Sequence, residues 1–170
     1  MNETITLELL HEDARAPERA TEGSAGYDLF AYLTGRTVSY SDGVIVKDAP
    51  ATHDALGGGA FFVLHPGITA RIPLGFKARL PRGFEAQIRP RSGSAFKKGL
   101  TVPNAPGTVD ADYPDEWMVL IHNSGAAPVR IEHGERISQM VLSRFEVLPF
   151  EMGSVRKTTS RAGGFGSTGR

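Results

Sequence analysis

The chain is predicted to be all-β, a distorted jelly roll or β-barrel with very little helix, and three observations carry the prediction. Its 170 residues contain 20 glycines and 11 prolines, roughly 18% together against a usual 12% or so, which favours frequent turns over long helices. Short polar/apolar alternations recur along it, the pattern of strands with one wet face. No amphipathic stretch of crossover length separates them, so nothing favours a parallel sheet.

In chain order, Thr4 to Leu9 alternates with Ile5, Leu7 and Leu9 on one face, expected to be half-buried. Similar runs follow at Phe61 to Leu64, Thr69 to Ile72, Gly75 to Leu80, Phe84 to Arg89, Trp117 to Asn123, Val129 to Glu132 and Gln139 to Pro149. Turn signals divide most of them, among them Pro66-Gly67, Pro81-Arg82-Gly83, Pro106-Gly107 and Gly134, where proline presets φ and glycine accepts a positive one. Trp117, Met118, Leu120 and Ile121 are expected in the core. The stretch from Gly35 to Gly59 is polar and turn-rich, with one hairpin signal at Asp42-Gly43, and reads as an inserted surface excursion. Its three terminal glycines lack the Lys-Ser/Thr that would follow in a phosphate-binding P-loop, so they read as a flexible connection. Residues 1–159 form a single β-domain, and residues 160–170, with no apolar run to anchor them, are expected to be mobile.

Lys+Arg and Asp+Glu number 19 each, so bulk charge drives neither nucleic-acid nor membrane binding. No run approaches the roughly 18 apolar residues of a membrane helix. There is no cysteine, and the N-terminal residues lack the basic start and apolar stretch of a signal peptide. A cytoplasmic location is expected. The five histidines show no metal-ligand spacing.

The chemistry lies in the charge pattern. Between Arg71 and Lys98 stand eight basic residues and one acid, Glu85; Asp110, Asp112, Asp115 and Glu116 follow, with no basic residue from Gly99 to Ile121. A basic arm beside an acidic hairpin suits a polyphosphate with Mg²⁺, the cations taking oxygens and the carboxylates taking the metal, its waters or an attacking water. Two solvated strands of opposite sign would give the same composition. Ser92 sits where an N-cap would precede a short helix from Ser94 to Lys98, which would let its hydroxyl and the following amides hold an anion. A nucleophilic Ser92 is disfavoured, because no GxSxG surrounds it and no histidine lies near it in sequence. Gly164 to Gly169 matches GxGxxG, yet only Arg170 follows it, so no helix can complete a dinucleotide fold. What survives is a glycine-rich strip able to lie over a nucleotide and stack Phe165 on a base.

Five segments, Ala25 to Leu29, Pro90 to Gly93, Asn104 to Tyr113, Gly134 to Gln139 and Gly163 to Gly169, resemble in order the five motifs of the trimeric deoxyuridine triphosphatases (dUTPases). The likeness covers nearly the whole chain outside Gly35 to Gly59. It implies a jelly-roll-like fold, a homotrimer with sites at subunit interfaces, and Mg²⁺-dependent hydrolysis of dUTP to dUMP and pyrophosphate, which keeps uracil out of DNA and supplies dUMP for thymidylate synthesis. By motif position, Asp110 is implied as the base that orients water and holds the sugar 3′-hydroxyl, and Tyr113 as the residue under the deoxyribose. Asn104 and the hairpin backbone, including Gly107 and Val109, would meet uracil. Arg91, Ser92, Gly93 and Gln139 would face the phosphates, Asp28 would hold a water of the metal shell, and Arg136 would brace the site. Phe165 would stack on uracil while Arg161, Gly166, Ser167 and Thr168 close over the phosphates. Three departures stand out: Pro114-Asp115-Glu116 where the family commonly has Arg-Gly-Glu, Ser94 at a usually apolar position, and Arg161 four residues before Phe165, one fewer than usual. Two rival readings are a dCTP deaminase, which shares the fold but performs a different reaction and is disfavoured by the Asp110-to-Tyr113 hairpin and the glycine-rich tail, and a non-catalytic module binding dUTP or a partner protein through Gly35 to Gly59.

Overall fold

A computed structural model describes residues 3–55 and 57–160. Fourteen strands and one short helix follow in order: β1 (Thr6–Leu9), β2 (Gly26–Phe30), β3 (Thr37–Ser41), β4 (Val46–Pro50), β5 (Thr52–His53), β6 (Ala60–Leu64), β7 (Thr69–Pro73), β8 (Phe76–Arg79), β9 (Phe84–Pro90), α1 (Ser92–Lys98), β10 (Leu100–Thr101), β11 (Gly107–Val109), β12 (Met118–Asn123), β13 (Val129–Glu132) and β14 (Arg136–Arg144). They form sheets in the spatial orders β1-β8, β10-β12-β7-β3-β4, β11-β9-β14-β2 and β13-β6-β5. Every one of these pairings is antiparallel, as the alternating pattern without crossover helices requires. The fold is a jelly-roll-like β-structure, and among the described residues no helix is long and apolar enough to cross a membrane.

Period-2 alternation builds the core. In β9, Ala86 and Ile88 are buried while Glu85, Gln87 and Arg89 occupy the other face. In β12, Val119 and Ile121 are buried beside Trp117 and Phe76, whose rings lie 5.4 Å apart. The larger of these, Ile88, Val119, Ile121 and Phe76, each contribute about 1.5–3 kcal/mol on burial.

Several sequence expectations are corrected. Leu7 and Leu9 are 36% and 43% exposed; among the described residues β1 pairs with β8 alone. Met118 is exposed and Leu120 half-buried; the strand's inward positions are the odd-numbered ones. The last strand stops at Arg144 instead of Pro149. Arg91 is the N-cap of α1, without a side-chain cap, and Ser92 is already the first helical residue. The stretch from 35 to 59 is more than surface. Its hairpin does turn at Asp42-Gly43, where Gly43 has φ +92° and Asp42 Oδ1 accepts from the Val44 and Ile45 amides at 2.9 Å. Yet β3 pairs with β7, and Val38 is fully buried.

Candidate active site

β9 is the axis of the site. It pairs with β14 on one side and β11 on the other, and β14 pairs with β2, so Asp28, Gln139 and Arg89 stand in one row across three strands. Beyond Pro90 the chain turns into α1 and brings Arg91 back over β2. Arg91 Nε donates to Asp28 Oδ1 at 2.8 Å, and Arg136 Nη1 donates to Oδ2 at 3.1 Å. Arg91 Nη1 also donates to the Arg136 carbonyl at 3.2 Å, and Gln139 Nε2 to the Pro90 carbonyl at 3.0 Å. A Cβ at Gly26 would lie 2.2 Å from Gln139 Oε1, so glycine is what lets that amide lie across β2. These residues, with Ser92 and Gly93, line a cleft of about 430 Å³. It combines guanidinium groups, a hydroxyl and an amide, a donor set suited to phosphate oxygens.

The other half hangs from β9 through β11, where Gly107 faces Ile88 and Val109 faces Ala86. The turn entering it holds a cis Ala105-Pro106 bond. At Gly107 a Cβ would come within 2.8 Å of Asn104 Nδ2, so glycine also allows Asn104 to fold back on the hairpin. After Val109 the chain turns: the Tyr113 amide donates to the Asp110 carbonyl and the Leu80 amide to the Ala111 carbonyl, both at 3.3 Å. Asp110 and Tyr113 are exposed and, with Arg71, Lys77, His11 and Glu116, help line a cavity of about 990 Å³. Among the described residues no side chain hydrogen-bonds or ion-pairs with the Asp110 carboxylate. Its oxygens are open to solvent, and Arg71 and Lys77 line the same cavity.

The two halves share no lining residue. Val109 faces Ala86 on β9, five residues before Arg91, a distance along the chain of about 16 Å in extended strand geometry. The hairpin continues away from Arg91, so within one chain Asp110 and Arg91 cannot touch the same phosphorus. The resemblance implies sites at subunit interfaces, but which residues fall in which half depends on strand register, which the sequence does not show. Sequence reasoning also missed what lies behind Asp110: Glu116, counted with the acids, pairs with Arg36 from 80 residues away. Beneath them the Tyr32 hydroxyl donates to Asp13 at 2.9 Å. That bond is the main cause holding the Asp13 carboxyl below its usual value, while burial is the main cause pushing the Tyr32 phenol up.

Among the described residues no group of three His, Cys, Asp or Glu side chains could hold a metal ion. Asp28 is a single carboxylate already spanned by two guanidinium groups. That set fits Mg²⁺ only as an outer contact to an ion held by phosphate oxygens and water, the usual arrangement for that ion. Arg161, Phe165, Gly166, Ser167 and Thr168 lie outside the described residues.

Comparison with known proteins agrees. The dUTPase family model matches residues 60–169. Curated deoxyuridine 5′-triphosphate nucleotidohydrolases from Rickettsia massiliae and Rhizobium meliloti are each 43% identical over 154 residues, covering 90% of this chain and 87% and 82% of theirs. Among solved structures, a mutant of the phage 80alpha dUTPase superposes with a TM-score of 0.75 at 23% identity, covering 99% of this chain and all of that one. A phage phi11 dUTPase mutant with a coordinated structural Mg(II) ion superposes at 0.69, with 20% identity over 91% and 99% of the two chains. With relatives this similar over nine-tenths of its length, the chain belongs to the dUTPase family.

Proposed function

We propose that two copies of this chain build each catalytic site, one supplying Asp110 and the other the Arg91 cleft, and that the site hydrolyses dUTP to dUMP and pyrophosphate. The observation that carries this reading is the separation of Asp110 from Arg91 along β9, with an open carboxylate at one end and a phosphate-shaped donor set at the other. Asn104 and the β11 backbone hold uracil, and Tyr113 lies beneath the deoxyribose. Asp110 takes a proton from water as its oxygen bonds to the α-phosphorus; the bond from that phosphorus to the bridging oxygen breaks, and pyrophosphate leaves. Arg91, Ser92 and Gln139 receive the phosphate charge. When bound, Mg²⁺ would supply further charge neutralisation, and Asp28 would be its outer contact from the protein.

The assembly in this reading is a closed homotrimer. A second observation favours copies over an isolated chain: after β14, Val147, Leu148, Phe150, Met152 and Val155 are 77–100% exposed, an apolar strip longer than a lone soluble chain ordinarily leaves bare. The glycine-rich residues from Gly163 to Gly169 serve as a lid, with Phe165 on the base and Arg161, Ser167 and Thr168 at the phosphates. A cytoplasmic location belongs to the same reading. The test is incubation with dUTP, dCTP or UTP plus Mg²⁺, with product identification and light scattering. The expected result is dUMP and pyrophosphate from dUTP alone, made by a trimer. Conversion of dCTP to dUTP, or full activity in a monomer, would overturn it.

A further inference from the structure

Glu116 stands three residues after Tyr113, and its side chain is only 11% exposed. Both carboxylate oxygens are engaged: Oε2 pairs with the Arg36 guanidinium, and Oε1 accepts from the Gly75 amide at 2.9 Å. Arg36 is seated in turn. Its Nη1 donates to His11 Nε2 at 3.2 Å, which fixes that ring nitrogen as an acceptor, since a guanidinium has no lone pair to offer. The His11 ring stacks on Tyr32 with centroids 4.4 Å apart and planes 3° from parallel. Gly75 has φ +75°, and a Cβ there would come within 2.9 Å of Tyr32 and Ala14, so the seat is tightly packed.

The two limbs of the hairpin are anchored differently. Gly107 to Val109 is laddered onto β9. Among the described residues, the limb from Asp110 to Glu116 makes one backbone bond outside the hairpin, from the Leu80 amide to the Ala111 carbonyl, before Trp117, whose amide donates to Phe76 at 2.9 Å. Its side-chain tie to the body of the molecule is the Glu116 carboxylate. We infer that Arg36 is a positioning residue for the reaction, acting through Glu116 on the limb that carries Asp110 and Tyr113. The inference rests on the dUTP-hydrolysis reading above. It gives the start of the polar stretch from Gly35 to Gly59 a purpose, and it accounts for how the limb is held where Pro114-Asp115 replaces the commoner Arg-Gly. Arg36 does not line the cavity, so it needs no contact with substrate.

Removing Arg36 leaves a largely buried carboxylate unpaired, and some loss of stability follows whatever its role. The decisive readout is therefore the split between kcat and KM in full-length Arg36→Ala, Arg36→Lys, Glu116→Gln and the Arg36→Ala/Glu116→Gln double variant. Arg36→Ala should lower kcat about tenfold or more with KM within about threefold, because misplacing Asp110 slows the chemistry while the β9-anchored limb still binds the base. Arg36→Lys should restore most of the loss, and the double variant should lose no more than Arg36→Ala alone. Amide exchange at 111–115 should rise in Arg36→Ala. An unchanged kcat, a loss confined to KM, or losses that multiply in the double variant would overturn the inference. If Arg36→Ala does not fold, Glu116→Gln decides it by the same split. A wild-type chain unable to hydrolyse dUTP would defeat the functional reading instead, and the exchange at 111–115 would still decide whether Arg36 holds the limb.

Discussion

In the cleft at the end of β9 both oxygens of Asp28 are held by guanidinium groups, whereas at the hairpin Asp110 presents an exposed carboxylate to which no side chain among the described residues bonds. The cleft has to receive charge without reorganising, so its donors are fixed beforehand by a carboxylate that orients them. A base has to hold a water and take its proton, which a carboxylate already bound to an arginine would do poorly. In the proposed reaction an ordered receiver, just beyond Pro90 of β9, is thus set apart from an open reagent that follows β11.

The largest effect should come from the open end. Asp110→Asn keeps the shape and removes the proton acceptor, so turnover should fall at least about a hundredfold while a non-hydrolysable dUTP analogue still binds. Titration calorimetry beside steady-state rates checks this, and near-normal turnover would dissolve the contrast. Next, the proposed lid role of the residues after Thr159 predicts that a chain ending there should keep its melting temperature and assembly yet lose most of its turnover, by about tenfold or more. At the ordered end, Arg91→Ala should raise KM for dUTP about tenfold and lower stability by about 1–3 kcal/mol, because the 12% exposed Asp28 loses one of its two partners. Chemical denaturation beside kinetics would separate the two effects. A smaller change is expected at Tyr113→Ala, where the ratio of kcat/KM for dUTP over UTP should narrow as the ring that crowds a 2′-hydroxyl is removed; an unchanged ratio would remove Tyr113 from sugar choice.

The smallest effect belongs to the support beneath the hairpin. The Asp13 carboxyl is held below its ordinary 3.8, chiefly by the Tyr32 hydroxyl. A depressed carboxyl contributes stability above its unfolded value and loses it as pH falls through the folded one. The melting-temperature gap between wild type and Tyr32→Phe should therefore be full at pH 6 and shrink below pH 3.8. A gap constant down to pH 2 would show that the hydroxyl bond is not its source.

The longer strands β6 to β9 and β12 were legible because alternation survives wherever one face is wet, as in Ala86 and Ile88 against Glu85, Gln87 and Arg89, whereas β10 and β11, two and three residues long, are too short to show a period. β2 was not, since Gly26-Tyr27-Asp28-Leu29-Phe30 ends in two adjacent buried residues and carries no period. β3 was hidden for the opposite reason: Val38 and Tyr40 share a face, but three hydroxyl residues between and around them made the run look like surface. Each motif showed which residue types belong to the site. Strand register, which decides that Asp110 and Arg91 point to different clefts, depends on contacts that no local window contains. The Arg36–Glu116 pair failed to show for the same reason, and the N-cap at Arg91 was missed by one residue, within the usual uncertainty of helix ends.

Because β11 carries Asp110 away from Arg91, lesions at these positions should complement in trans. A chain bearing Asp110→Asn still owns an intact arginine cleft, and one bearing Arg91→Ala still owns an intact base. Co-assembled at random in equal amounts, about a quarter of the sites in a closed ring would pair the sound half of each. Two inactive alleles expressed together would then yield a partly active enzyme, whereas a chain carrying both lesions would poison every site it joins.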